Sequence, residues 1–317
     1  MLRWEFYEKD RRKGEKTAMK ILCFGSLNID YTYKVEHFVQ KGETISSQSL
    51  QVFSGGKGLN QSIALAKAGA EVYHAGAVGT DGGFLLRQLE EAGVNTEHVA
   101  VLDEIRTGNA IIQNDKDGDN CIILYGGANQ AITREQADQV LKSFDEGDYL
   151  LLQNEINELP YIMEKAHRKG MNVILNPSPM DEKMKELPLD DVDYFLLNEV
   201  EAGQILDTGE TDGEILAERL LERFPGASIV LTLGSKGSIY ADREQKIHQK
   251  AYRVRAVDTT AAGDTFTGYF IAEAAAGQTP EKAMDLAARA SAIAVTRAGA
   301  APSIPWRKEV EVWRPEM

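Results

Sequence analysis

Cysteine is nearly absent: Cys23 and Cys121 are the only two in 317 residues, which excludes a disulfide framework and a four-cysteine zinc site. Histidine is sparse as well, and the five residues at 37, 74, 98, 167 and 248 lack the spacing of metal ligands. No apolar run approaches the ~20 residues of a membrane-spanning helix, and the N-terminus is charged rather than signal-like. The expectation is a soluble cytoplasmic protein. Basic residues are outnumbered, with 35 Lys and Arg against 49 Asp and Glu and a net charge of −14. That balance argues against nucleic acid or an anionic membrane as partner. Small anionic ligands stay open, because local groups hold them.

Several familiar signatures are missing too. Gly56-Lys57 is followed by Gly58 where a P-loop needs Ser or Thr, no G-x-G-x-x-G follows the first strand, and no G-x-S-x-G elbow occurs. Asp115, Asp117 and Asp119 imitate the first ligands of a calcium loop. Asn120 replaces the glycine such a loop needs, however, and Gly126 its final glutamate, so the segment reads as a hairpin turn.

Residues 1–18 are polar and charged without periodicity, and read as a frayed tail or a mis-assigned start, with Met19 the true beginning. One domain is expected over 19–317. Ile21–Phe24 is a short apolar run that reads as a buried strand, and 72–78 is another. Alternating segments at 30–35, 44–53, 107–113 and 121–125 read as four further strands, flanking the helical patterns 59–68 and 84–92. After Gly126 the pattern is helix alternating with strand. Helices are expected at 133–143, 158–169, 199–206, 211–224, 263–277 and 279–297, and apolar strands at 149–152, 173–175, 194–197 and 229–232. This predicts an α/β fold: a doubly wound, mostly parallel sheet flanked by helices. The four alternating strands do not fit that sheet and form a small separate β-layer, from about 30–55 and 107–126.

The chemistry concentrates in three stretches. In Asp258-Thr259-Thr260-Ala261-Ala262-Gly263-Asp264, small residues run straight into a helix. Their backbone lets a ligand approach closely, and free N–H groups with the helix dipole make an anion site. Asp264 in the first turn could take a proton from a hydroxyl attacking a phosphoryl group. On its own it would read as a carboxylate stabilising the helix dipole. In Ser54-Gly55-Gly56-Lys57-Gly58-Leu59-Asn60-Gln61, a glycine cluster enters a helix whose Asn60 could bind a polyol. Gly25-Ser26-Leu27-Asn28-Ile29-Asp30 follows the first strand, where α/β proteins bind ligands, and Asn28 and Asp30 suit vicinal hydroxyls.

These motifs occur in order with Gly127-Ala128-Asn129, Asn176-Pro177-Ser178-Pro179, Asn198-Glu199-Val200-Glu201, Thr232-Leu233-Gly234-Ser235-Lys236-Gly237 and 295–305. From Lys20 to Arg307 the chain resembles the PfkB carbohydrate kinase family, in its ribokinase-like branch. The resemblance implies that Asp264 is the base activating a primary hydroxyl of the sugar. It implies that the amides of Ala261, Ala262, Gly263 and Asp264 stabilise the transferring phosphoryl group. Asn28, Asp30, Gly56, Asn60 and Glu155 would hold the sugar, with Lys57 a contact to phosphate or sugar. Asn198 and Glu201 would help to place Mg2+ and phosphate, and Thr232, Gly234, Ser235 and Gly237, with Gly263, would line the ATP site. Asp258, Thr260, Ala294, Arg297, Gly299 and Ser303 match loops that hold a monovalent cation such as K+, mostly through carbonyls. The β-layer would be a lid over the sugar and the contact of a homodimer. D-ribose is the favoured substrate. Deoxyribose, fructose, nucleosides and a non-catalytic sugar-binding regulator on the same fold are the alternatives.

Overall fold

The protein is described by a computed structural model over residues 19–117 and 119–315; the expected tail at 1–18 lies outside them. Short runs of branched apolar residues form the interior strands of the main sheet, because both of their faces are covered by helices. The first is β1 (Lys20–Phe24). The chain then builds β2 (Asn28–Lys34), β3 (Ser49–Gly55), α1 (Lys57–Lys67), β4 (Glu71–Gly79), α2 (Gly83–Glu91) and β5 (Asn95–Leu102). It goes on to β6 (Gly108–Asn114), β7 (Asn120–Tyr125), α3 (Arg134–Leu141), β8 (Tyr149–Gln153), α4 (Leu159–Arg168), β9 (Asn172–Asn176), β10 (Tyr194–Asn198), α5 (Glu199–Ile205) and α6 (Gly213–Arg223). The last third supplies β11 (Ser228–Thr232), β12 (Ser238–Ala241), β13 (Lys246–Gln249), α7 (Ala262–Ala275), α8 (Pro280–Ala294) and α9 (Arg307–Val312).

Nine strands form one sheet in the order β13-β12-β11-β10-β9-β8-β1-β4-β5. Pairing is parallel from β11 to β5 and antiparallel for β12 and β13. Alternate residues of one strand feed opposite core layers. Ile21 and Cys23 pack with α1, α2, α7 and α8, whereas Leu22 and Phe24 pack with α3, α4 and α6. The strand order reverses direction at β1, which lies between β4 and β8.

The four alternating segments make a second sheet, β3-β2-β6-β7, as expected. Its strands are tied by a hairpin turn in which Asp115 accepts from the amides of Asp117 and Asp119. Three expectations need correction. Residues 44–48 are not strand: β2 ends at Lys34, whose partner is Ser49, so the preceding residues have no strand to pair with. β5, β12 and β13 form where none was expected: β5 and β13 are the sheet edges, which do not demand a continuous apolar run, and β12 is a short interior strand, Ser238–Ala241, between β11 and β13. The last long helix stops at Ala294 rather than 297, and the Val295 carbonyl turns to accept from the amides of Val257 and Asp258.

Candidate active site

Where the order of a doubly wound sheet reverses, the loops leaving the strand ends diverge and open a crevice. Here these are the loops after β1 and β8. The first carries Ser26, the second Glu155, and the two are joined through the start of α1. The Ser26 hydroxyl donates to Glu155 and accepts from the Gly58 amide at 3.2 Å. The Lys57 amide donates to the same Glu155 oxygen at 2.9 Å. Gly56 bends the chain into α1 at φ 95°, and a Cβ there would stand 2.9 Å from the Ser26 carbonyl. Glu155 thus sits on a helix N-terminus, where a carboxylate is favoured. Burial nevertheless pushes its pKa up, against the hydrogen bonds from Ser26 and Lys57. One oxygen of Glu155 is therefore committed to the fold.

Asp264 occupies the first turn of α7 and is buried. Both of its oxygens are held by amides of α1. Asn60 Nδ2 donates to Oδ2 at 3.0 Å and Gln61 Nε2 to Oδ1 at 2.9 Å. These side chains reach because α1 and α7 cross closely. A Cβ on Gly268, one turn beyond Asp264, would lie 2.4 Å from Ala64 Cβ, one turn beyond Asn60. Gln61 was not singled out from the sequence. Ahead of Asp264, Ala261 takes a left-handed φ of 60°, and a Cβ on Gly263 would meet nothing within 4 Å. The amides of Ala261, Gly263 and Asp264 make no backbone hydrogen bond. That of Ala262, expected to be free, donates to the Thr259 carbonyl at 3.2 Å.

Three polar groups around this crevice have no partner among the described residues. Asp30, projecting from β2, makes no hydrogen bond or ion pair, and burial, with Glu155 nearby, pushes its pKa up to about 6. The buried Oδ1 of Asn60 accepts nothing. The half-buried Lys57 ammonium also makes no ion pair. Burial opposes its charge, but the carboxylates of Asp264, Glu155 and Glu201 outweigh that and raise its pKa. Asn28 is placed by Asn129, whose Nδ2 donates to its Oδ1 at 2.7 Å. That role for Asn129 was not drawn from its motif.

The remaining expected residues lie on loops around the same end of the sheet. Asn198 and Glu201 form a reciprocal cap of α5: the Asn198 side chain accepts from Val200 and Glu201 amides, and Glu201 accepts from the Asn198 amide. The Thr232 hydroxyl donates to the Leu197 carbonyl at 3.3 Å, and Gly234, Ser235 and Gly237 form an open turn after β11. Asp258 bridges two loops, accepting from Thr260 at 2.8 Å and from Gly299 at 2.9 Å. The carbonyls of Asp258, Thr260, Arg297 and Gly299 accept no backbone hydrogen bond, whereas that of Ala294 accepts from the Arg297 amide. The Arg297 side chain points away to Glu309 at 2.9 Å, and the Ser303 hydroxyl donates to the Ala300 carbonyl at 2.7 Å.

A carboxylate tethered at a helix N-terminus, with an unpaired carboxylate on the small sheet, is an arrangement that suits transfer of a group to a hydroxyl. The chain belongs to the pfkB family of carbohydrate kinases, whose family profile matches residues 18–307. It is 34% identical over 300 residues to the ribokinase of Staphylococcus aureus, covering 92% of this chain and 98% of that one. Among solved structures it resembles Arabidopsis thaliana ribokinase complexed with ribose and ATP, with a TM-score of 0.85, 30% identity and coverage of 93% and 98%. It also resembles Cryptococcus neoformans ribokinase in complex with ADP, with a TM-score of 0.84, 32% identity and coverage of 92% and 99%.

Proposed function

We propose that the protein transfers the γ-phosphoryl group of ATP to the primary hydroxyl of D-ribose, giving D-ribose 5-phosphate and ADP. The observation that carries this reading is the set of unpaired polar groups around Asp264. Asp30, the Asn60 oxygen and Lys57 lack partners, and a buried polar group without a partner is costly unless a ligand supplies one. Asp30 and Asn60 Oδ1 accept hydrogen bonds, which the hydroxyls of a sugar donate. Similarity to ribokinases along nearly the whole chain, including one solved with ribose and ATP, supports the same substrates.

In this reading the sugar lies between β2 and α1, with its primary hydroxyl against Asp264. The hydroxyl oxygen attacks the γ-phosphorus while Asp264 accepts its proton, and the bond from the γ-phosphorus to the bridging oxygen breaks, leaving ADP. Charge on the transferring group is met by the amides of Ala261, Gly263 and Asp264, by the α7 dipole and by Lys57. The Ala262 amide contributes less, being committed to Thr259. The open turn at Gly234–Gly237 and Thr232 would receive the nucleotide.

Magnesium keeps most of its waters and needs few protein ligands. Glu201 fits, because one of its oxygens accepts no hydrogen bond, and Asn198 stands beside it. Bound with ATP, magnesium would neutralise charge on the phosphates. The free carbonyls of Asp258, Thr260, Arg297 and Gly299 fit a monovalent cation such as K+, which would fix the loop leading into Ala261–Gly263. With the Ala294 carbonyl engaged by Arg297 and the Ser303 hydroxyl by Ala300, those two residues would contribute less. The small sheet is the lid over the sugar, excluding water that would compete as acceptor. Leu50, Val52 and Ile123 on the face away from Asp30, and Ile122 and Leu124 on the face that carries it, are exposed, and a second copy of the chain pairing with the sheet would cover them. Of the lysines on the small sheet, Lys116 is paired with Glu36 at 3.0 Å, and Lys34 stands at the far end of β2, six residues from Asn28. No helix among the described residues is long and apolar enough to cross a membrane, and the free thiols Cys23 and Cys121 accord with the cytoplasm.

The test is ADP release from ATP, Mg2+ and K+ with ribose, 2-deoxyribose, fructose, fructose 6-phosphate, adenosine and pseudouridine. Ribose should give the highest kcat/KM. Preference for another member overturns the substrate. Absence of turnover in folded protein that still binds sugar favours a binding regulator.

A further inference from the structure

Gln61 is fully buried beneath Asp264 and takes part in an amide chain that the apolar core does not require. Its Nε2 donates to Asp264 Oδ1 at 2.9 Å and to Asn176 Oδ1 at 3.1 Å, while its Oε1 accepts from Gln153 Nε2 at 2.6 Å. Asn176 in turn donates to the Leu196 carbonyl at 2.8 Å. The polarity of this chain is fixed at both ends, because a carboxylate and a backbone carbonyl only accept. Asp264 forces Gln61 to present its NH2 group, the Leu196 carbonyl does the same to Asn176, and Gln153 must then donate to Gln61. The chain runs from the carboxylate to β8, β9 and β10, the rigid centre of the main sheet. Burying Gln61 and Gln153, with Asn176 half-buried, costs desolvation, and such amides persist only where every member is satisfied or the arrangement serves something else. One atom is left over, Gln153 Oε1, which is buried without a partner.

With Asn60 on Oδ2 and Gln61 on Oδ1, the carboxylate plane of Asp264 cannot turn, yet each oxygen keeps lone-pair capacity for an incoming hydroxyl. Asn60 shares its helix with the sugar-facing groups, whereas Gln61 is the one tether of Asp264 anchored to the sheet. We propose that Gln61 is a positioning residue for phosphoryl transfer, holding the Asp264 carboxylate at the angle at which it takes the proton of the acceptor hydroxyl. This deepens the sugar-kinase reading and rests on it. The other groups facing Asp264 are Lys57 and Glu155, with Glu201 beyond Lys57, and the Cys23 thiol behind. None of them replaces the Gln61 donor, since Lys57 makes no ion pair with Asp264 and Glu155 is an acceptor.

The experiment compares the full-length protein with Gln61→Met, which keeps the length and loses the donors. It measures kcat and KM for ribose, and ribose affinity by calorimetry. The expected result is a kcat lower by about 10- to 100-fold, the scale on which small misplacement of a reacting group is felt. Ribose affinity should stay within about twofold, so that the loss falls on kcat and not on binding. Gln153→Met should lower kcat by less, and it serves as the test if Gln61→Met fails to fold. A parent-like kcat in a folded variant overturns the proposal. So does a joint fall of kcat and ribose affinity, the mark of a merely structural role. If the parent turns over no sugar, the sugar-kinase reading falls and takes this proposal with it, whereas an active parent with an unaffected variant sinks this proposal alone.

Discussion

The two halves of the crevice are made of different material. The half assigned to the sugar is built from side chains: Asn28, Asp30, Asn60, Glu155 and Asp264, several of them buried and set by further side chains such as Ser26, Asn129 and Gln61. The half assigned to phosphate and cation leans on backbone: the amides of 261, 263 and 264 and the carbonyls of 258, 260, 297 and 299, with Asp258 tying the two loops and the Arg297 side chain turned to Glu309. Hydroxyls of a sugar are directional and differ between sugars, so discrimination needs specific donors and acceptors. A phosphate or a bare cation asks only for several partial charges of one sign, which any peptide group supplies. The same chain therefore spends residue identity on one side and conformation on the other.

This contrast breaks if side-chain changes weigh equally on the two halves. The largest effect is expected for Asp264→Asn, which keeps the shape and loses the base. Steady-state turnover should fall by about 100- to 10,000-fold while calorimetry still detects ribose; undiminished turnover would remove Asp264 from its role. A middle effect concerns pH on the side-chain half. Asp30 is held up at about 6 by burial and by Glu155, above the ~4 of an unfolded carboxylate. KM for ribose should therefore rise as pH falls through 6, and Asp30→Asn should flatten that dependence while raising KM at neutral pH. The sign for folding is opposite. Because the folded state holds its proton more tightly, Asp30 adds no cost below pH ~4 and destabilises increasingly as pH climbs through 6. Denaturant midpoints of Asp30→Asn should therefore gain on the parent over that window. The smallest effect is expected on the backbone half. Arg297→Ala keeps the carbonyl and loses only the partly exposed pair with Glu309. Thermal unfolding should register at most about 1 kcal/mol, and activation by K+ should change by less than about twofold. A large loss of K+ activation would mean that the side chain, not the carbonyl, serves the loop.

The same division explains what could be read in the sequence. Strands β1, β8, β9, β10 and β11 are legible because burial on both faces writes an apolar run, and the lid because one-sided burial writes alternation. The edge strands β5 and β13 carry neither pattern strongly, and β12, at Ser238–Ala241, is too short to show one. Asp264 stood out through the small residues before it, and Asp30 and Asn60 through their place after a strand or a glycine turn. The roles of Gln61, Gln153 and Asn176 did not, since such an amide shows no partner until three strands and a helix are assembled. For Asn198 the resemblance gave a role toward Mg2+ and phosphate, and the structure shows it capping α5 in full. For Arg297 the sequence pointed to the carbonyl and not the side chain, and the structure turns the side chain to Glu309.

The crossing of α1 and α7 at Ala64 and Gly268 has a consequence for how this protein can change. In many enzymes stability can be raised at the expense of activity, because the site is strained relative to the scaffold. Here the contact that packs the two helices is also the ruler that brings Asn60 and Gln61 to Asp264. A methyl group added at Gly268 would push against Ala64 and the Leu65 amide, loosening the core and lengthening both tethers in one step. Fitness at this crossing has no trade-off to exploit, so drift there is penalised twice, and variation that tunes the substrate must come from the lid side instead.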